Sequence, residues 1–586
     1  MHHFLTMIVL LYCGIIAQAV EEERFSERGF YVSTNLLVDS NLKKLNSLAE
    51  RAAKVGYNTV YFADWKFGQP WKFGKKYEAN VKEAARIFRT HGISVVVCVT
   101  GLGDPCNYLN EIPDEVEALP VVNEPYKIVK GKFTPENILI NGSFEDGIKH
   151  WRPDVFGEAL KISDETASNG SKSLHFSIRN KESLQKGMLR VWKEVHCKPF
   201  QQYRLSFKLK TQNLVSKKQN FGINVVPVTK APEQPDGFRY LSYRNLAVRN
   251  KIAATQDWKE YCIIFNTLEY SEITLALGTW GTESGEFWID DIQLKPAAFL
   301  NVVRRADTPV SVTSADGKRT YCEGKDYTRI ADPFSGNFRW KGDFDDTHAP
   351  PQISITPNST IKEGEVVLAS YYHPAFALKS AGICLNSPKL RPLIKRQIQW
   401  LEQAIHPDGY NIGIDEQRVY GYDPACIKSG INCGQALNQL ARFSYDCIRS
   451  IAPGRKIYMW NDMFDPYANC YAKKYYYLVK GIGSLTDSWV GLPKDIIILR
   501  WTTSTPERFR GSMEHFQRIG MKYIQFPGYF DDKTFNPQAE ERMRQTMNDP
   551  ACIGVGFAQW SGLDNNHHLE AFLDMVRKLP NKTTSR

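Results

Sequence analysis

The sequence predicts an α/β fold: a (β/α)8 TIM barrel interrupted after strand 3 by a β-sandwich (jelly-roll) module and a small β-rich segment. Strand and helix patterns alternate before residue 103 and again from about residue 363. Counted together they make eight βα units, the number that closes such a barrel. Between the two stretches the helical period disappears and short alternating strands replace it, as is typical of a β-sandwich.

The first part of the barrel is predicted from hydrophobic periodicity. Residues 29–32 form a strand pattern, and residues 41–55 have the amphipathic period of a helix. Residues 59–64 are a second buried strand, followed by a second helix pattern at 77–89. Residues 93–99 are nearly all β-branched, which is typical of parallel strands buried on both faces.

The second part repeats the same alternation. The predicted strands cover residues 409–416, 456–460, 495–501, 522–526 and 554–560. The predicted helices cover residues 390–404, 434–450, a segment that begins at 506, 538–547 and 567–578. Three strands before the insertion and five after it complete the barrel.

The residues between the two parts alternate apolar and polar side chains, as at 203–209 and 273–277. Strict alternation gives each strand one packed face and one solvated face, which favours two antiparallel sheets. The predicted division is a signal peptide at 1–19, a first barrel part at 20–103, a linker at 104–133, a β-sandwich at 134–298, an accessory segment at 299–365 and a second barrel part at 366–586.

Composition and charge limit the classes of partner. The 586 residues carry a net charge of +10, and no Lys/Arg run resembles a nucleic-acid-binding tail. Residues 5–16 are apolar and precede Ala17-Gln18-Ala19 and an acidic stretch, which indicates a cleaved secretory signal although its start has histidines instead of Lys or Arg. The run is shorter than the ~20 residues of a membrane span. We expect a secreted, periplasmic or cell-surface protein that binds no nucleic acid and has no membrane span.

Export permits disulfides. The chain has 12 cysteines, and removing Cys13 with the signal leaves eleven, an odd number. The favoured pairs are Cys426–Cys433, which closes a short loop, and Cys197–Cys262 within the sandwich. The cysteines between 426 and 470 are spaced too irregularly for a zinc site.

Carboxylates and tryptophans recur at the predicted strand ends, where TIM-barrel enzymes place their active sites. Asp64-Trp65 ends the second strand and Asp415-Glu416 ends the fourth; the later strands end in Trp460 with Asp462, in Trp501 and in Trp560. Aromatic rings stack on the C–H faces of sugars while carboxylates bind their hydroxyls. Packing alone is the alternative explanation for each tryptophan.

The adjacent Asp415 and Glu416 are the candidate catalytic pair. Two carboxylates at the end of a buried strand repel each other and lose hydration, which raises one pKa and creates a general acid. Adjacent residues of a strand face opposite ways, so the strand has to end at this pair for both to reach one cavity. A capping or loop role is the alternative.

This Asp-Glu pair with tryptophans at later strand ends resembles family 20 glycoside hydrolases, the β-N-acetylhexosaminidases. The resemblance implies that Glu416 is the acid/base and that Asp415 orients the substrate's acetamido group as nucleophile. It also implies a sugar pocket formed by Trp460, Trp501 and Trp560, with Tyr529 near the reaction centre. Strand seven, residues 523–528, has no carboxylate, which suits a nucleophile supplied by the substrate and equally suits an inactive barrel.

The sequence also departs from that family. The first strand lacks the family's sugar-binding arginine, and strand eight lacks the acidic residue that the family has just after the tryptophan corresponding to Trp560. His373 is the candidate substitute ligand for the sugar, with a buried strand end as its alternative. Asp64, Trp65 and Asp462 are further candidate substrate ligands.

The inserted module has a resemblance of its own. The segments "NGSFE" at 141–145, "SNGSKSLHF" at 168–176 and "FWIDDIQL" at 287–294 are similar to the galactose-binding-like jelly-roll carbohydrate-binding modules of the cellulase type. The resemblance implies a structural calcium held by the hard oxygen ligands of Glu145 and Asp290. Three tryptophans are candidates for stacking on sugars or for core positions, namely Trp151, Trp258 and Trp280.

These features predict an exported glycoside hydrolase that acts on a polysaccharide or glycoconjugate, with no cofactor for catalysis. An N-acetylhexosaminide cleaved by a substrate-assisted, retaining mechanism is the finer form of this prediction. The alternatives are a non-catalytic glycan-binding protein with a degenerate barrel and a surface protein that uses both modules for adhesion.

Overall fold

A computed structural model describes most of the chain. The described residues are 25–102, 106–180, 188–232, 237–242, 251–336, 346, 348–377, 380–468, 478–480, 485–501, 505–528, 530, 536–559, 563 and 566–579. The predicted signal peptide lies outside them. None of the helices in these ranges combines the length and the apolar character needed to cross a bilayer.

The chain before the insertion forms three parallel strands and their helices. The strands are β1 (Glu27–Ser33), β2 (Thr59–Ala63) and β3 (Ser94–Val99), and the helices are α1 (Asp39–Lys54), α2 (Gly74–Thr90) and the short α3 (Cys106–Leu109). Two 3₁₀ turns, Trp65–Gly68 and Pro70–Phe73, follow β2, and a third, Pro113–Glu115, follows α3. Val95, Val97 and Val99 of β3 are buried, as the β-branched run predicts.

The insertion consists of antiparallel strands. They are β4 (Ala118–Val129), β5 (Lys132–Thr134), β6 (Arg152–Pro153), β7 (Leu160–Ser163), β8 (Ser173–Ile178), β9 (Met188–His196), β10 (Gln202–Val215), β11 (Ile223–Lys230), β12 (Phe238–Tyr240), β13 (Gln256–Asn266), β14 (Glu272–Trp280), β15 (Ser284–Pro296), β16 (Ser311–Ser314), β17 (Thr320–Tyr321), β18 (Val366–Pro374), β19 (Phe376–Ala377) and β20 (Ser380–Ala381). A 3₁₀ turn, Gln219–Gly222, precedes β11.

The remaining strands return to the parallel arrangement. They are β21 (Gly409–Ile412), β22 (Val419–Tyr420), β23 (Lys456–Trp460), β24 (Leu478–Val479), β25 (Ile496–Arg500), β26 (Tyr523–Gln525) and β27 (Cys552–Phe557). The helices are α4 (Leu390–Ile405), α5 (Pro424–Ser429), α6 (Cys433–Ile451), α7 (Pro506–Arg518), α8 (Ala539–Thr546) and α9 (Leu569–Lys578), with a 3₁₀ turn at Asp462–Phe464. Asn432 begins α6 with a capping box to Gln435.

Eight parallel strands close into a barrel in the order β1-β2-β3-β21-β23-β25-β26-β27. Closure comes from pairing of β1 with β27, which aligns Glu27 with Gly554. Inside the barrel, Tyr61, Tyr458, Leu499, Ile524 and Phe526 form one apolar cluster. The outward side chains of the strands pack with the helices in a larger core.

Three five-stranded antiparallel sheets account for most of the insertion. Two of them, β13-β10-β15-β8-β7 and β12-β11-β14-β9-β6, share the main core of the sandwich. The third sheet has the order β17-β16-β18-β4-β5 and its own apolar core. Strands β4 and β5 lie mainly in the stretch predicted as a linker. Local sequence did not reveal them because β4, which pairs with β5, also pairs with β18, more than 230 residues away. The proposed domain boundaries stay predictions.

The predicted fold class, a (β/α)8 TIM barrel interrupted after strand 3 by one sandwich and a small β-rich segment, is wrong. The structure is a closed eight-stranded parallel barrel combined with several antiparallel sheets, and its content is β-rich instead of helix-flanked throughout. Between β23 and β25 the described residues form a 3₁₀ turn and the short β24, with no α-helix. Hydrophobic period identifies single elements, whereas the number of sheets depends on pairing between distant segments.

The predicted disulfides are also wrong. Cys197, Cys262, Cys426 and Cys433 are not joined in the two expected pairs, and no two Sγ atoms among the described cysteines lie at bonding distance. The short sequence separation of Cys426 and Cys433 favoured this pair in the prediction. A disulfide also requires a specific distance and direction between the two Cβ atoms, which sequence separation does not reveal.

Candidate active site at the carboxyl end of the barrel

The candidate catalytic pair follows β21 at the carboxyl end of the barrel strands. The strand itself ends at Ile412, three residues before the pair. Gly413 extends the chain beside β3, since its N–H donates to the Val99 carbonyl at 2.7 Å and its carbonyl accepts from Leu102 N–H at 3.1 Å. Parallel strands end at one edge, so this extension carries Asp415 to the same rim as the ends of β23 and β25.

Glu416 occupies a backbone conformation that side-chain-bearing residues rarely adopt. Its φ is 48°, in the left-handed region that is disfavoured for residues other than glycine. The Glu416 N–H donates to Asp462 Oδ2 at 2.9 Å, and Asp462 is fully buried. Local strain held by a buried partner is frequent at functional sites, and here it turns the chain after Asp415 so that three carboxylates meet.

The two adjacent carboxyl groups, Asp415 and Glu416, have different electrostatic surroundings. Burial raises the pKa of the Asp415 carboxyl well above its ordinary value, and the negative charges of Asp462 and Glu416 raise it further, while Arg418 acts in the opposite direction. Glu416 forms an ion pair with Arg418, in which the side chains are 30% and 15% exposed. The Asp415 carboxyl therefore holds its proton to higher pH than an ordinary aspartate does, and Glu416 is engaged by a cation.

Two tryptophans, Trp460 and Trp501, lie at the carboxyl ends of neighbouring strands of the barrel. Trp460, the last residue of β23, is 8% exposed and lies edge-to-face on Tyr31 and Phe526, with ring centroids 5.9 and 5.3 Å apart. Trp501 is half-buried and packs on the same cluster. Asn461 Oδ1 accepts the Trp501 N–H at 3.0 Å, which ties the ends of β23 and β25 together.

Asp64 and Trp65 have internal partners. The Asp64 carboxylate pairs with Lys66 Nζ at 2.9 Å, with both side chains wholly buried, and it also accepts the Leu36 N–H at 3.0 Å. The Lys66 ammonium lies 4.5 Å from the centroid of the Trp65 ring, and that ring packs edge-on against Phe73. Burial lowers the pKa of Lys66. The arrangement stabilises the turn after β2, and the sugar-binding role of these residues stays a prediction.

His373 lies at the seam between the third sheet and the sandwich. It is 2% exposed, and its Nε2 is 2.9 Å from Nδ2 of Asn266 in β13. Burial lowers its pKa to about 3, so the ring is neutral at physiological pH. Leu119, Asn266 and Phe376 line the small cavity around it. Its proposed role as a sugar ligand is untested, as are those of Tyr529 and Trp560, which lie outside the described residues.

Glu145 and Asp290 support one loop of the sandwich. The Glu145 carboxylate accepts the Ser171 N–H and the Lys172 N–H at 2.9 and 2.8 Å, and its pKa is lowered by these bonds, that from Ser171 first. Asp290 accepts the Ser168 and Asn169 N–H groups at 2.7 and 2.9 Å. Calcium requires oxygen acceptors around it, whereas N–H and O–H donors surround these carboxylates. The arrangement does not fit the ion.

The three tryptophans of the module take different positions. Trp151 is 6% exposed and packs on Phe144 in the core of the sandwich. Trp258 and Trp280 are half-buried. A concave patch on β10, β13 and β15 is instead lined mainly by charged and polar side chains, including Arg204, Lys208 and Asp291.

Two residues of the site were missed in the sequence. Arg418 forms the ion pair with Glu416, and Asn461 positions Trp501. The i, i+2 spacing of Glu416 and Arg418 is a weak signal because such spacing is common in loops. Asn461 lies between two predicted site residues, so its place in the sequence was the available signal.

Solved structures that are similar to this chain include carbohydrate-binding modules and a rhamnosidase. No family model matches the chain, and no curated protein matches it. A family 16 carbohydrate-binding module is 20% identical over 27% of this chain and 99% of its own, with a TM-score of 0.20. The xylan-binding CBM22-1 domain of Xyn10C from Paenibacillus barcinonensis is 16% identical over 29% of this chain and 97% of its own, with a TM-score of 0.19.

A rhamnosidase from Novosphingobium sp. PP1Y is 9% identical over 95% of this chain and 59% of its own, with a TM-score of 0.32. Because all these TM-scores are low, the likenesses carry no argument about chemistry. Membership of glycoside hydrolase family 20 is not shown.

Proposed function

We propose that this protein is a carbohydrate-active enzyme, a glycoside hydrolase of a polysaccharide or glycoconjugate, whose reaction takes place at the carboxyl end of the barrel. The observation that carries the proposal is the meeting of Asp415, Glu416 and Asp462 beside Trp460 and Trp501. Glycoside hydrolysis needs a protonated acid, a negative charge near the oxocarbenium-like centre and a surface for the sugar ring. The five residues are of the types that supply all three.

Asp415 is the proton donor in this proposal. Its raised pKa keeps the proton on the carboxyl at higher pH than in an ordinary aspartate, as a general acid requires. Glu416, engaged by Arg418, supplies negative charge opposite the developing positive charge.

The finer form of the proposal is hydrolysis of an N-acetylhexosaminide with the substrate's acetamido group as nucleophile. Strand β26 and the residues after it, 523–528, contain no carboxylate, which supports a nucleophile that comes from the substrate. In that form Glu416 is the acid and Asp415 receives the acetamido N–H, which requires an ionised Asp415. The pH profiles of Asp415→Asn and Glu416→Gln separate the two assignments, because the variant that removes the acid loses the basic limb and the variant that removes the ionised carboxylate loses the acidic limb.

The test compares Asp415→Asn and Glu416→Gln with the wild-type chain on aryl glycosides, aryl N-acetylhexosaminides and polysaccharides. We expect both variants to lose roughly 10²–10⁴-fold in kcat/KM, as removal of a general acid or its electrostatic partner does. Glu540→Gln is the matched control, because Glu540 is exposed on α8, where it pairs with Arg544. Full activity in both site variants would overturn the proposal.

A non-catalytic glycan-binding protein is the second candidate, and the Glu416–Arg418 ion pair is the observation that favours it. A carboxylate held by arginine is arranged for stability or binding instead of proton transfer. This candidate predicts no turnover of any glycan together with an affinity that survives Glu416→Gln. Isothermal titration with the polysaccharides of the activity screen distinguishes it from an enzyme.

A further inference from the structure

A second group of reactive side chains lies outside the candidate active site. Glu117, Cys384 and Cys426 are 0%, 0% and 3% exposed, and one donor atom from each lies within 4.8 Å of the other two. The two Sγ atoms are 3.6 Å apart, and Cys426 Sγ is 3.2 Å from Glu117 Oε2. A fourth group, Asp423, places Oδ1 3.4 Å from Cys384 Sγ.

Two of these separations match edges of a zinc coordination shell. Zinc–sulfur bonds of ~2.3 Å and zinc–oxygen bonds of ~2.0–2.2 Å place two sulfurs ~3.8 Å apart and a sulfur ~3.5 Å from an oxygen. The observed Sγ–Sγ and Sγ–Oε2 separations of 3.6 and 3.2 Å lie close to those values. We propose that Cys384, Cys426 and Glu117 bind a zinc ion as three of its ligands.

The backbone hydrogen bonds of Glu117 leave its Oε2 atom available to a metal. Glu117 Oε1 accepts three backbone N–H groups, from Gly421, Tyr422 and Asp423, at 2.7, 3.1 and 3.1 Å. Oε2, in contrast, faces the Cys426 thiol. The Asn386 amide donates to Cys426 Sγ at 3.3 Å. Such outer contacts orient metal ligands and stabilise a thiolate.

The cluster lies among other buried ionisable groups. Two buried carboxyl groups, Glu117 and Asp423, lie beside one cation, Arg305, which pairs with Asp423. Zinc binds cysteine as the thiolate, so each of the two thiols releases its proton when the metal binds.

The site joins three segments that are distant in sequence. Glu117 lies where the chain leaves the barrel, Cys384 lies after β20 where it returns, and Cys426 lies in α5, beyond the loop that carries Glu416. The cluster also holds that loop, because Glu117 accepts the backbone of residues 421–423. A structural zinc here would fix the insertion to the barrel and stabilise the position of the active-site loop.

Metal analysis of the full chain, purified without chelator, tests this inference. We expect one zinc per chain in the wild type, and background zinc in Cys384→Ser and Cys426→Ser. Cys447→Ser is the matched control because Cys447 is a buried cysteine of α6 outside the cluster. Loading the metal-free wild type with Co²⁺ provides a readout that needs no variant, since thiolate ligation produces a near-ultraviolet charge-transfer band and tetrahedral geometry an intense visible spectrum.

Two outcomes would overturn the inference. The first is a chain with no bound metal, no cobalt spectrum and both thiols open to alkylation after unfolding. The second is a chain whose Cys384 and Cys426 are joined in a disulfide, seen as a peptide pair with two hydrogens fewer that reverts on reduction. Neither outcome bears on the carboxylates of the candidate active site, so the two proposals fail independently.

Discussion

Replacing Glu124 by glutamine is expected to flatten the pH dependence of folding stability. Glu124 lies in β4 and is 0% exposed. Its Oε2 accepts the hydroxyls of Tyr126 and Tyr371 at 2.5 and 2.7 Å, and its Oε1 accepts the Gln202 N–H at 3.1 Å. Burial raises its pKa from 4.5 to about 7, although these hydrogen bonds act in the opposite direction.

The direction and size of the effect follow from proton linkage. Between pH 4.5 and about 7 the folded chain holds a proton on Glu124 that the unfolded chain has lost. The contribution of this group is therefore fully present below pH 4.5 and is lost as the pH rises towards 7. At ~1.4 kcal/mol for each pKa unit, the loss across the window is about 3 kcal/mol.

Urea unfolding at several pH values across this window, followed by tryptophan fluorescence, measures the effect. The variant Glu124→Gln cannot titrate, so its unfolding free energy should change with pH by about 3 kcal/mol less than that of the wild type. Glu136→Gln is the control, because Glu136 is exposed close to the same sheet. Equal slopes in wild type and Glu124→Gln would refute the reasoning, because they would mean that Glu124 is ionised in the folded chain.

Three further predictions concern other buried charges. Arg418→Gln removes a charge that lowers the pKa of Asp415, so the basic limb of the kcat/KM profile should move to higher pH. His373→Gln should reduce acid destabilisation, since a folded pKa of about 3 against 6.5 costs the wild type about 5 kcal/mol as the pH falls through that interval. Glu27→Gln weakens two tyrosine hydrogen bonds of 2.7 and 2.9 Å inside the barrel and should lower unfolding stability by about 2–3 kcal/mol.

Each of these predictions has an outcome that contradicts it. An unchanged pH profile in Arg418→Gln would mean that this arginine does not influence the acid. Equal acid sensitivity of His373→Gln and the wild type would mean that the buried ring is already charged. An unchanged urea midpoint in Glu27→Gln would mean that a neutral amide at the amino end of the barrel supports folding as well as the carboxyl group does.

The strands of the barrel were predictable because their information is local. The β-branched run that contains β3 identifies a strand buried on both faces without reference to any partner. The polar residues that directly follow such a strand lie at its carboxyl end. From residue order alone, Asp415, Glu416, Trp460 and Trp501 are predicted to lie at the carboxyl ends of barrel strands.

The candidate site was predictable only in part. Residue order indicated which side chains follow the strands, but not how those side chains are used. Asp64 follows β2 as expected, yet its carboxylate is occupied by Lys66. His373 is held by Asn266, which is more than 100 residues away in sequence. Whether such a side chain is free to bind a ligand or is held by another residue of the chain depends on packing between distant segments. A local sequence pattern does not describe that packing.

The sequence by itself therefore determined the single elements, the edge of the barrel where acids and tryptophans gather, and the β-rich nature of the insertion. Tertiary structure alone decided the fold class, because the pairing of β4 with β18 joins segments that local periodicity treats separately. It also decided the chemistry of Asp415, since desolvation and the charge of Asp462 arise only when distant strands meet. The same holds for Glu117, Cys384 and Cys426, whose contact depends on loop closure across hundreds of residues.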